Sequence, residues 1–175
     1  MTTNTFPDPS ENEQGAGKSA GTYVLHKQLE ADCFKVGQLP LCQVLMMNDR
    51  QYPWFILVPK LPDVREIYQL SLADQFRLVN ESSWFGDMIM NQFHGEKLNI
   101  GALGNMVPQL HLHHIVRTQY DAVWPAPVWG KLPAKHYVVE EAARRIQLVE
   151  TKLAEYRPAI DDIDALLHPS LNTDD

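Results

Sequence analysis

The chain has 175 residues, 45% apolar and 21% charged, the balance of one soluble globular domain rather than two. A formal net charge of −7, with no dense Lys or Arg run, excludes nucleic acid as the main partner. Cys33 and Cys42 form no CxxC pair and are too few for a disulfide framework. No apolar stretch reaches the length of a membrane span, and the polar N-terminus lacks the basic start and apolar middle of a signal peptide. The cytoplasm is the expected location, and a bound anion must be held by backbone N–H groups and a few polar side chains.

In chain order, residues 1–21 offer almost nothing to bury and read as a disordered N-terminal tail. Val24 to Ala31 predicts a short helix and Cys33 to Val36 a strand. Leu41 to Met47 and Trp54 to Val58 are apolar runs suited to buried strands, joined through the turn residues Asn48, Asp49 and Arg50. Ser71-Leu72-Ala73-Asp74 resembles a capping box, and the helix it opens runs to about Phe93 and stops at Gly95. Leu98 to Leu103 and Leu110 to Arg117 predict two further strands, followed by a stiff aromatic loop from Trp124 to Gly130. A second long helix is expected from about Ala134 to Tyr156, and a weaker one over Asp161 to Leu167. Runs of strands with separate helices indicate an α+β fold with an antiparallel sheet. Residues 22–130 form its main domain, and 131–175 a C-terminal helical extension packed on it.

The informative segment is Pro108-Gln109-Leu110-His111-Leu112-His113-His114-Ile115-Val116-Arg117, which holds three of the seven histidines. Alternation on a strand puts Gln109, His111, His113, Ile115 and Arg117 on one face. Leu110, Leu112, His114 and Val116 take the other, mostly apolar face, so His114 belongs near the core. The first face is expected to be wet. His111 and His113 lie about 6.5–7 Å apart along the strand, close enough to serve one small site. Three readings fit this pair: chemistry at phosphorus, two ligands for a metal, or two solvated histidines without a role.

These residues resemble the histidine-triad (HIT) family, whose pattern is His-φ-His-φ-His-φ-φ with φ apolar. His111 and His113 match the second and third histidines; Gln109 replaces the first and His114 one trailing apolar position, as in a bacterial subgroup of HIT hydrolases. Asn48-Asp49-Arg50 falls where the family places a ribose contact. Phe55 to Lys60 looks like its apolar strand ending in Pro-Lys. The similarity covers about residues 23 to 130.

The resemblance implies a HIT-like antiparallel sheet of about five strands with flanking helices, a homodimer, a nucleotide substrate, and no metal or cofactor. It implies that His111 attacks the α-phosphorus to form a nucleotidyl-histidine, with dinucleoside polyphosphates or nucleoside phosphoramidates as substrates. His113 and Gln109 complete the catalytic set. Asn48, Asp49, Asn99, Gly104, Asn105 and Arg117 are the expected substrate contacts. Gln109 can donate and accept hydrogen bonds but cannot carry charge, so Gln109→His is expected to preserve or raise activity. Two alternatives stand beside this reading. One is a nucleotide-binding regulatory protein with little turnover, which Gln109 favours. The other is a metal-dependent hydrolase in which His94, His136 or Asp121 joins the His-x-His pair.

Overall fold

The structure is a computed structural model that describes residues 21–159. The expected tail, Gly21 apart, and the helical stretch at Asp161 to Leu167 lie outside the described residues. Eight regular elements carry the fold. They are α1 (Lys27–Asp32), β1 (Cys33–Gln38), β2 (Cys42–Met47), β3 (Trp54–Pro59), α2 (Leu72–Gln92), β4 (Lys97–Gly101), β5 (Leu112–Arg117) and α3 (Val139–Leu153). The strands form one antiparallel sheet in the order β1-β2-β3-β5-β4, with helices packed around it. Among the described residues, no helix is long and apolar enough to cross a membrane.

The helix ends have local causes. The Ser71 hydroxyl accepts from the Asp74 N–H at 3.1 Å, the cap that the sequence predicts for α2. α1 starts later than the expected Val24, because Val24 to His26 runs outside the helix and bonds elsewhere. His26 caps it, Nδ1 accepting from the Gln28 N–H. α3 also starts late, at Val139 rather than Ala134. The N–H groups of Lys135 and Tyr137 are held by Asp49 and Asn48, so this stretch cannot enter a helical ladder.

Both faces of the sheet are covered. Val44, Met46, Phe55, Leu57, Leu112 and Val116 pack with Leu78, Phe85 and Ile89 of α2 and with Val149 and Leu153 of α3. On the opposite face Leu45, Trp54, Ile56, Val58 and Ile115 pack beneath Leu25, Leu29, Val107 and Val128. All six residues of β3 and all six of β5 are buried. Burying one large aliphatic side chain of this kind contributes about 1.5–3 kcal/mol. The wet histidine face expected from alternation is therefore a second core. The parity was read correctly, but short elements and loops close over the face that the helices leave open. Gly37 permits the α3 contact, since a Cβ there would fall 2.6 Å from Leu153 Cδ1.

Candidate active site

The pairing of β3 with β5 sets Trp54 opposite Ile115 and Ile56 opposite His113. This register brings the Trp54 indole against the His113 ring, their centroids 5.5 Å apart. Nε1 of Trp54 donates to Nδ1 of His113 at 2.9 Å. An indole nitrogen only donates, so Nδ1 carries a lone pair and the proton of the neutral ring sits on Nε2. His113 is 7% exposed. Burial, followed by the neighbouring His111 and His114, pushes its pKa down to about 3. At neutral pH it is an uncharged hydrogen-bond donor through Nε2 rather than an imidazolium acid.

His111 has the complementary arrangement. Its Nδ1 lies 2.6 Å from the carbonyl oxygen of Gln109. A carbonyl only accepts, so Nδ1 holds the proton and Nε2 is left as a lone pair. The ring is 6% exposed, contrary to the wet-face expectation. Its Nε2 has no partner among the described residues, yet it is not one of the unpartnered polar atoms sealed from solvent. The body of the ring is thus packed while its nucleophilic edge stays open. The His111 and His113 rings meet at 5.0 Å, nearly perpendicular. One lone pair and one N–H therefore share a small space.

His114 points into the other core, as expected. Nδ1 donates to the Leu112 carbonyl at 3.1 Å, and Nε2 pairs with the Ser82 hydroxyl at 2.8 Å. Burial lowers its pKa to about 4. Ser82 lies on α2, so this histidine is a core residue tied to the helix.

The remaining expected contacts divide. Gly104 lines the small cleft at His111, with Ala102, Leu103 and Leu110. Its φ of +68° suits glycine. Asn105 is exposed beside it and does not line that cleft. Asn48 and Asp49 both bond within the fold. Asn48 Oδ1 accepts from the Tyr137 N–H at 3.0 Å, and Asp49 Oδ1 from the N–H groups of Gln51 and Lys135. They hold the approach to α3, although Asn48 Nδ2 has no partner among the described residues. Arg117 is likewise tied into the fold. It is 1% exposed, grips both carboxylate oxygens of Asp121 at 2.6 and 3.0 Å, and reaches Asn99 Oδ1 and the Ala126 carbonyl. Trp124 stacks over it at 5.7 Å. Arg117 and Asn99 thus anchor the aromatic loop.

Gln109 is held through its side chain as well as its backbone. Its Oε1 accepts from the His26 N–H at 2.9 Å and its Nε2 donates to the Val24 carbonyl at 3.0 Å. Both ends of the amide thus clamp the segment before α1, while its backbone carbonyl orients His111. The metal alternative lacks a donor set, since Asp121 is engaged by Arg117 and the described residues contain no grouping of three His, Cys, Asp or Glu. Trp129 walls the site as a neighbour of His113, at 5.8 Å, and of Trp54, at 6.2 Å. Sequence reasoning missed Trp54. Its signal is a buried indole that needs an acceptor.

The comparisons with known proteins agree with this fold. The HIT domain model matches residues 28–120, just over half of the chain. No curated protein matches. The chain is similar to the crystal structure of a histidine triad protein from Marinobacter aquaeolei VT8. Identity is 49%, TM-score 0.76, and coverage 78% of this chain and 100% of that one. A histidine triad protein from Bradyrhizobium japonicum is 40% identical, TM-score 0.74, covering 76% of this chain and 99% of that one. One from Sinorhizobium meliloti 1021 is 41% identical, TM-score 0.73, covering 74% and 96% respectively. With the antiparallel sheet and the His-x-His pair at the start of β5, these matches establish that the chain belongs to the HIT domain family.

Proposed function

We propose that this protein is a nucleoside-phosphate hydrolase or nucleotidyl transferase that works through a nucleotidyl-histidine at His111. HIT domain proteins are generally nucleotide hydrolases or transferases. The single observation that carries the reading here is the fixed tautomer of His111, whose Nδ1–H is held by the Gln109 carbonyl and whose Nε2 lone pair stays open.

In the first step Nε2 forms a bond to the α-phosphorus, and the bond from phosphorus to the leaving atom breaks, its electron pair departing with the leaving group. The His113 Nε2–H donates a hydrogen bond to a non-bridging phosphate oxygen, where charge gathers in the transition state. It does so as a neutral donor, so it does not supply the leaving group's proton. In the second step water, or another acceptor hydroxyl, attacks phosphorus. The P–N bond breaks, its electron pair returns to Nε2, and the acceptor's proton passes to solvent. Dividing one displacement into two lowers each barrier.

Mass spectrometry of protein quenched during turnover of a nucleotide panel tests this reading. A nucleoside-monophosphate adduct on His111, and loss of about 1000-fold or more in turnover for His111→Ala, are expected. Turnover at the wild-type rate in His111→Ala overturns it. Tight binding without turnover or adduct selects instead the regulatory, nucleotide-binding alternative.

A further inference from the structure

A cavity of ≈330 Å³ lies beside Gln109, lined by Val24, His26, Pro62, Asp63, Arg65 and Pro108 among others. Its volume is at the small end of the range for ligand pockets. The Gln109 clamp builds one wall, because its amide holds the Val24–His26 backbone there. The cavity is linked to the site already described. Arg65 and Gln109 line both this space and the small cleft that contains His111.

The donors in this region are unpartnered. The exposed Arg65 guanidinium makes no hydrogen bond or ion pair among the described residues. His26 accepts from the Gln28 N–H through Nδ1, so the proton of its neutral ring is on Nε2, and Nε2 has no partner there either. Asp63 and Glu66 also border these spaces, but neither pairs with Arg65. Asp63 Oδ2 sits at the Gly21 end, 3.9 Å from where a Cβ on that glycine would be, whereas Arg65 reaches the His111 end. The Arg65 cation is therefore at the end nearer the reacting phosphorus, with Asp63 at the far end and the Glu66 carboxylate bordering the near end without pairing to it.

We propose that this cavity is the subsite for the leaving group, and that it selects a leaving group whose first unit is a phosphate, held by Arg65. The proposal rests on the reading of His111 as nucleophile and adds to it the class of bond cleaved: a phosphoanhydride rather than a phosphoramidate. When the P–O bond breaks, the electron pair goes to the terminal oxygen of the departing phosphate. The guanidinium fork meets that charge with paired N–H donors.

Two probes share an adenylyl half and differ in what leaves: diadenosine triphosphate releases ADP and adenosine 5′-phosphoramidate releases ammonia. The ratio of kcat/KM for the first over the second should fall about 30-fold in Arg65→Gln, the size of one charge-assisted hydrogen bond. The same ratio should hold within about twofold in Arg144→Gln, a charge-matched control on exposed α3 surface. An unmoved ratio in Arg65→Gln, or wild-type protein that cleaves only the phosphoramidate, overturns the subsite and leaves the His111 reading standing. Wild-type protein that cleaves neither probe counts against the His111 reading instead. Calorimetry with inorganic pyrophosphate then decides the subsite separately. Binding weakened about 30-fold in Arg65→Gln supports it, and absent or unaltered binding overturns it.

Discussion

The indole N–H of Trp54 and Nδ1 of His113 are 2.9 Å apart, across two adjacent strands of one sheet. That bond assigns the His113 proton to Nε2, the nitrogen that can face a substrate. Trp54→Phe keeps an aromatic ring but removes the donor. His113 is then free to take either tautomer. The expected outcome is a fall of about 10-fold in kcat with a smaller change in KM, and a stability loss of about 1–2 kcal/mol. Nitrogen-15 NMR of the imidazole, read beside steady-state kinetics, checks both parts. Unchanged kcat in a variant whose Nδ1 has become protonated removes His113 from the mechanism.

Gln109 is the position where the sequence pattern and the structure disagree most. Replacing it with histidine was expected to preserve or raise activity. The clamp reverses that expectation. One planar amide donates to the Val24 carbonyl and accepts from the His26 N–H, while an imidazole places its two nitrogens differently and does not match both. Gln109→His should lower kcat/KM about 10-fold or more and expose the amide of His26 to hydrogen exchange. Gln109→Glu, which keeps an acceptor for the His26 N–H but sets a charged oxygen against the Val24 carbonyl, should also lower activity. Activity of Gln109→His at or above wild type, with the His26 amide still protected, shows the clamp to be dispensable.

The pH dependence of stability has a definite sign. In the folded protein His113 is held to about pKa 3 and His114 to about 4, mainly by burial. An unfolded histidine titrates near 6.5. Below that value the unfolded chain binds more protons than the folded one, so stability is greatest above about pH 6.5 and declines as pH falls toward the folded values. Glu81 opposes this trend, because burial raises its carboxyl pKa and protonation there favours the fold. The melting temperature is predicted to drop between pH 7 and 4.5. In NMR titrations the rings of His113 and His114 should stay neutral to about pH 5. Either ring titrating near 6.5 contradicts the burial described for it.

Arg117→Lys tests whether the expected substrate residue is an anchor. Lysine keeps the charge but not the fork that holds Asp121, Asn99 and Ala126. A loss of about 3–5 kcal/mol is predicted from disrupting this buried pair, with KM for nucleotide changed less than twofold in whatever folded protein remains. Denaturant unfolding and kinetics at low temperature measure the two. An unchanged stability with a tenfold rise in KM returns Arg117 to the substrate.

Much of the fold was legible because its signals are local. Ser71 and Asp74 announce α2, the apolar runs announce β2 and β3, and the alternation of His111, His113 and His114 assigns their faces correctly. What was not legible depends on partners distant in sequence. Residues 134–138 have helical character, but the carboxylate and amide of Asp49 and Asn48 take their N–H groups first. Arg117 looked available because Asp121 could not be known to curl back upon it. The wet face was mistaken for the same reason, since only the folded chain brings Leu25, Val107 and Val128 over the histidines.

The hold that Gln109 keeps on Val24 and His26 ties the segment before α1 to the residue that orients His111. An affinity tag fused close to Thr22, or a cut at His26, disturbs the segment clamped by the side chain of Gln109, whose carbonyl meets the His111 ring. Purification handles therefore belong at the other terminus, and rates measured with an upstream fusion describe the fusion rather than the protein.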